Sequence, residues 1–209
     1  MDGILISSLG SVERSWTRWA QMRGVDPAHP CHVAHGCRSM ETVALLRPDL
    51  DAEAENLIVE NMEIEDIEEV TVLPGVLNLL AALPRERWTV VTSATDPLAR
   101  VRLAAGGIPV PERIVNANSV TQGKPHPAPY LAGAELLGLR PEQCVVFEDA
   151  ASGTKSARAA GCTVVATTFS HSVESLAAAH YLIPDLTGVE VRVLGGDQGM
   201  VLRFTPLTR

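Results

Sequence analysis

The chain has 209 residues, 46% of them apolar, which is enough for one compact domain or for a core carrying a small inserted domain. Its net charge of −8 counts against a nucleic-acid or anionic-membrane surface, since either needs a basic excess. No run approaches the roughly 18 apolar residues of a membrane span, and no charged-then-apolar leader opens the chain, so the expected location is the cytoplasm. Cys31, Cys37, Cys144 and Cys162 show neither a C-x-x-C pair nor finger-like spacing and read as reduced, structural thiols.

In chain order, the opening Met1-Asp2-Gly3-Ile4-Leu5-Ile6-Ser7-Ser8 leads into a helical region. Val12, Trp16 and Trp19 recur at i, i+4 and i+7 and predict an amphipathic helix stopping near Gly24. Further helices are expected over residues 39–46 and 51–61, and Pro74-Gly75 precedes another over 76–83. From Trp88 onward strand and helix alternate. A strand over 88–92 precedes a helix over 96–105, with Asp96 as its cap, Pro97 in its first turn and Gly106 past its end. A brief strand at 113–116, a helix at 127–137, an apolar strand at 144–147, a helix at 152–160 and a strand at 163–167 follow. Continuous apolar strands separated by short helices predict a parallel sheet covered on both faces. Residues 189–194 and 200–204, around Gly195-Gly196-Asp197, alternate like a β-hairpin. The expected fold is therefore α/β: a doubly wound parallel sheet formed by residues 1–9 and 84–188, a helical insertion over 10–83 and a hairpin tail over 189–209.

Four groups of residues stand at strand ends or in loops. They are Asp2-Gly3, then Val90-Val91-Thr92-Ser93-Ala94-Thr95, then Gly123-Lys124-Pro125, then Val145-Val146-Phe147-Glu148-Asp149. Asp-x-Asp-Gly, a Ser or Thr after a strand, a Lys, and an acidic pair after a strand form the four-part pattern of the haloacid dehalogenase-like phosphatases, which the chain resembles from end to end. The leading Asp of the first motif would fall just before Met1, so the first core strand is expected to be cut short and the nucleophile to lie outside these residues.

The resemblance implies a Mg²⁺-dependent phosphomonoesterase working through an aspartyl-phosphate intermediate. Asp2 would be the general acid for the leaving alcohol and then the base for water, its main-chain carbonyl reaching the metal. Ser93, with Thr92 as the competing choice and the N–H of Ala94 beside it, would hold a phosphate oxygen. Lys124 is one of only two lysines in a chain that otherwise prefers arginine, and a compact ammonium on a flexible stem suits a bridge between carboxylate and phosphate. Asp149 would ligate Mg²⁺ directly, and Glu148 would act through water or orient the site, at the sheet edge where open α/β folds place ligands. The insertion resembles the cap of the sugar-phosphate branch. His35-Gly36-Cys37-Arg38, Glu63-Ile64-Glu65-Asp66 and Leu73-Pro74-Gly75 look like hexitol, 2-deoxyglucose-6-phosphate and glycerol-phosphate phosphatases. His35, Arg38 and Glu63 would then meet hydroxyls of a small phosphorylated sugar or polyol, in a monomer.

Plainer readings stand beside these. Asp2 can be a solvated terminal acid, Ser93 a turn hydroxyl, Glu148-Asp149 helix-terminal acids, and the acids from Glu53 to Glu69 a solvated face. Two other functions also fit the pattern: a phosphomutase, which needs a second phosphate site in a cap that has arginines but no lysine, and an inactive phosphosugar-binding protein.

Overall fold

A computed structural model of the chain describes residues 1–27, 38–194 and 199–208. Strand β1 (Ile6–Ser7) leads into helices α1 (Leu9–Arg23), α2 (Ser39–Leu46) and α3 (Ala52–Glu65), and β2 (Thr71–Val72) then returns to pair antiparallel with β1. Helices α4 (Val76–Ala82), α5 (Asp96–Ala105) and α6 (Ala128–Leu136) follow, then β3 (Val145–Glu148), α7 (Ala151–Ala160), β4 (Thr163–Thr167) and β5 (Tyr181–Ile183). The antiparallel hairpin β6 (Glu190–Val193) and β7 (Met200–Arg203) comes last.

β3, β4 and β5 form a parallel sheet in that order. Side chains alternate across a strand, and β4 shows it: Val164 and Ala166 pack with Tyr130, Ala157 and Leu182 on one face, while Val165 packs with Leu103, Val90 and Ile183 on the other. Both faces are buried, which is why the strand reads as an unbroken apolar run. The expected α/β architecture with a short first strand holds. The strands expected over 88–92 and 113–116 do not extend into ladders. They meet in one parallel bridge, Val91 with Val115, through Thr92 N–H to Val115 O at 2.8 Å and Val115 N–H to Val90 O at 2.9 Å.

The insertion has a core of its own. Trp16 and Trp19 stack edge to face, 5.5 Å between ring centroids, against Val43 and Val59. The helix expected over 51–61 begins at Ala52 and runs on to Glu65, capped by Asp51, whose carboxylate accepts from the N–H groups of Glu53 and Ala54 at 3.0 and 3.2 Å. Helix α4 belongs elsewhere: Val76 and Leu79 pack into the sheet-side cluster with Val90, Leu103 and Ile183. The helices that pack together therefore end before α4, ahead of residue 83. At α5 the cap is Thr95, and Asp96 is the first helical residue. Asp96 pairs with Arg100 at 2.7 Å and accepts from Asn116 at 3.2 Å instead of capping. Among the described residues no helix is long and apolar enough to cross a membrane.

Candidate active site

A cleft with about 110 Å³ of room opens where the helical cap meets the carboxyl ends of the strands. At roughly 10–15 Å³ per water by this measure, it has room for several waters. Asp2, Gly3, Thr92, Ser93, Ala94, Lys124, Glu148 and Asp149 line it from the core, and Trp16, Ser39 and Glu63 from the cap. The structure thus brings together every core residue singled out in the sequence.

Lys124 is 7% exposed, and its Nζ lies 2.5 Å from Glu148 Oε1 and 5.1 Å from the centre of the Tyr130 ring. Glu148 is fully engaged: Oε1 also accepts from the Tyr130 hydroxyl, and Oε2 accepts from the N–H groups of Asp149 and Ala150 at 3.1 and 3.2 Å. Gly153 makes room for it, since a Cβ there would sit 2.1 Å from the carboxylate. Burial opposes ionisation of Glu148, but Lys124, the Met1 ammonium and the Tyr130 hydroxyl outweigh it and hold the carboxyl down to about 2. Both Glu148 oxygens are thus hydrogen-bonded, and one of them holds Lys124. Burial and the Glu148 charge push Tyr130 well above its usual range, so it stays a donor.

The loop carrying Lys124 is held from three sides. Ser156 on α7 donates to the carbonyl of His126 at 2.6 Å, and Lys124 itself reaches the carbonyl of Val91 at 3.4 Å. Arg38, at the start of α2, donates to the carbonyls of Val120 and Thr121 at 2.6 and 3.1 Å. Arg38 thus ties the cap to this loop. His35 lies outside the described residues.

Asp149 follows β3 and accepts from Ser170 at 2.5 Å, with His171 Nδ1 2.7 Å from the same hydroxyl. Burial and the neighbouring Glu148 charge raise its carboxyl to about 6. Gly3, at φ +70°, passes directly beneath it: a Cβ there would lie 1.8 Å from Asp149 Oδ2, so only glycine fits. This contact sets Asp149 against the main chain of the first motif. Among the described residues no three acidic, His or Cys side chains form a metal cage. Mg²⁺ does not require one, because it binds through one or two carboxylates and keeps waters and phosphate oxygens as its other ligands. Asp149 and the Asp2 main chain fit that pattern.

Asp2 Oδ1 accepts from Ser8 at 2.6 Å and from Arg102 at 3.2 Å. Burial opposes its ionisation, yet Arg102, the Met1 ammonium and Ser8 together keep its carboxyl below the usual range. Thr92 is buried and its hydroxyl accepts from the N–H of Ala94 at 3.1 Å, whereas Ser93 is only partly buried and lines the cleft.

The acids of α3 divide: Glu53 and Glu65 are exposed, and the other three are not. Glu55, Glu60 and Glu63 are buried along one side of the helix. Glu55 accepts from Trp19 at 2.8 Å and pairs with Arg23 at 2.7 Å, Glu60 accepts from Thr95, and Glu63 faces Arg102 at 3.5 Å. Burial raises Glu63 to about 7 despite Arg102. Arg14, Arg23, Arg38 and Arg47 of the cap are each bonded to carboxylates or carbonyls. Arg102, Tyr130, Ser8 and Ser170 were not found from the sequence. Arg102 carried a signal: it lies four residues after Leu98 on the apolar side of α5, where a charged residue is out of place.

Residues 1–161 match the family described as haloacid dehalogenase-like hydrolases. Hexitol phosphatase A of Escherichia coli is 41% identical over 171 residues, 79% of this chain and 79% of its own. Glycerol-1-phosphate phosphohydrolase 1 of Saccharomyces cerevisiae is 36% identical over 183 residues, 81% of this chain and 73% of its own. Among solved structures, a hydrolase from Pseudomonas syringae superposes with a TM-score of 0.79 at 23% identity, covering 89% of this chain and 91% of its own. CbbY from Rhodobacter sphaeroides in complex with phosphate gives 0.77 at 20% identity, covering 90% and 92%. At these identities the structural likeness is one of fold.

Proposed function

This chain belongs to the haloacid dehalogenase-like hydrolase family, and on that premise we propose that it is a Mg²⁺-dependent phosphomonoesterase acting on small sugar or polyol phosphates. The observation that carries the reading is the buried Lys124–Glu148 pair, which fixes a cation in the same cleft as Asp2, Ser93 and Asp149. Relatives named as hexitol and glycerol-1-phosphate phosphatases support the substrate class. In this reading Lys124 and the Ser93 hydroxyl hold the phosphoryl oxygens while a carboxylate nucleophile takes the phosphoryl group. Asp2 protonates the leaving alcohol and then takes a proton from water. An incoming phosphate brings negative charge that opposes Arg102 and raises the Asp2 carboxyl toward its protonated form. Mg²⁺, held by Asp149 and the Asp2 main chain, would supply the positive charge that offsets repulsion between carboxylate and phosphate. Free thiols at Cys144 and Cys162 go with a reducing, cytoplasmic compartment.

The test is release of inorganic phosphate from hexitol 6-phosphates, glycerol 1-phosphate and 2-deoxyglucose 6-phosphate, with Mg²⁺ and after chelation. It is run on the 209-residue chain and on a form extended upstream by an apolar segment ending in Asp. Activity lost on chelation, restored by Mg²⁺ and abolished by Asp149→Ala is expected. Binding of these esters with no phosphate released in either form would point to a phosphosugar-binding protein and overturn the phosphatase.

A further inference from the structure

Arg102 is a buried cation with an incomplete set of partners. It is 4% exposed, lines the cleft and reaches two acids from different parts of the molecule. Its Nη1 lies 3.2 Å from Asp2 Oδ1, and its Nη2 lies 3.5 Å from Glu63 Oε2, within ion-pair range but not hydrogen-bonded. Among the described residues neither Nε nor Nη2 has a hydrogen-bond partner. Buried donors left unpaired destabilise a fold, and an apolar side chain of similar volume would fill this place at lower cost. The position on α5 is therefore poorly explained by stability alone.

Asp2 shows what the residue does. Oδ1 accepts from both Ser8 and Arg102. An oxygen that accepts from two donors is the carbonyl-like oxygen of a protonated carboxyl, so any proton on Asp2 resides on Oδ2. We propose that Arg102 is the positioning residue for the acid/base Asp2: with Ser8 it fixes Oδ1, presents Oδ2 to the ester oxygen, and links that carboxyl to Glu63 on the helical cap. This rests on the phosphatase reading. In the step concerned, the Oδ2 proton passes to the bridging ester oxygen as the P–O bond breaks. The bond pair leaves with the alcohol, and Asp2 remains as the carboxylate. Arg102 neither gives nor takes a proton and does not touch the reacting atoms.

Leaving groups separate this role from a structural one. An alkoxide needs the proton, whereas p-nitrophenolate leaves without it. Arg102→Met is expected to lower kcat on glycerol 1-phosphate by about 100-fold, with KM changed less than about threefold, while kcat on p-nitrophenyl phosphate falls by less than about fivefold. Arg102→Lys, which keeps a donor near Oδ1, recovers part of the loss. Equal losses on both esters, or a loss confined to KM, would overturn the proposal. A cycle of thermal unfolding with Arg102→Met, Asp2→Asn and the double variant reads the same contact without turnover. Non-additive midpoints are expected, and additive ones would show that Arg102 does not hold Asp2. If the unaltered protein hydrolyses neither ester, the phosphatase reading fails and the cycle alone decides the place of Arg102.

Discussion

Two buried acid–base pairs flank one cleft and behave in opposite ways. On the core side Glu148 meets Lys124 at 2.5 Å and has both oxygens hydrogen-bonded, and its carboxyl is held down to about 2. On the cap side Glu63 meets Arg102 at 3.5 Å without a hydrogen bond, and burial pushes its carboxyl up to about 7. Burial is nearly the same, 5% exposed against 3%. The difference lies in the neighbours: Glu148 has Lys124 and donors on both oxygens, whereas Glu63, with Arg102 at ion-pair distance and Trp16 as a donor, also faces the charges of Asp2 and Glu60 and drifts toward the neutral form. The complete pair holds Lys124 in place at the core side of the cleft. The incomplete one spans the junction between cap and core.

Breaking the complete pair has the largest expected effect. Glu148→Ala leaves Lys124 buried without a counter-charge and should lower unfolding stability by about 3–5 kcal/mol in urea titrations. A drop under about 1 kcal/mol would remove the contrast.

Acid and base then separate the pairs by sign. Glu148 titrates at about 4.5 unfolded and about 2 folded, so its contribution is present above pH 4.5 and is lost as pH falls through 2. Glu63 titrates at about 4.5 unfolded and about 7 folded, so the native state holds the extra proton. Its contribution is present below pH 4.5 and is lost as pH rises through 7, by about 3 kcal/mol. Asp149, raised to about 6, adds a smaller fall of the same sign from its ordinary 3.8. Stability measured from pH 5 to 8 should therefore decline, and Glu63→Gln should flatten most of that decline. An unchanged slope in the variant would place the titration elsewhere.

Tyr130→Phe removes one of the donors to Glu148 and should cost about 1.5–3 kcal/mol, the range for a hydrogen bond to a charged group. The smallest effect belongs to the exposed pairing of Arg14 with Asp66 and Glu69. Arg14→Ala should shift the unfolding midpoint least of these variants, and less still in high salt. A shift as large as that of Tyr130→Phe would show that surface and interior pairs do not differ as argued.

The linear motifs were legible because each is local. A strand end, a loop or a helix start delivers Ser93, Lys124 and Asp149 to one sheet edge, whatever the rest of the chain does. What was not legible depends on partners distant in sequence. Arg102 meets an acid 100 positions away, and Arg38 meets carbonyls 82 and 83 positions away. The acids of α3 looked solvated because charged residues usually are, yet Glu55, Glu60 and Glu63 turn inward toward Trp19, Thr95 and Arg102. The apolar run 88–92 promised a full strand, but its ladder stops after one rung because only Val115 stands opposite. Glu148 and Asp149 are adjacent and alike in type. Their surroundings differ: Gly153 and Tyr130 enclose one, and Gly3 and Ser170 the other.

The chain leaves the sheet side at Ile6–Ser7 and comes back at Thr71–Val72, and these two stretches lie side by side, Ile6 facing Val72 and Ser7 facing Thr71. Everything between them is a cassette whose two ends sit at a single doorway. A block joined in this manner can be lengthened, trimmed or traded for another without disturbing the host's own strands. The residues at the sheet edge can then stay put while the helical block that closes the cleft from the other side is free to be redrawn.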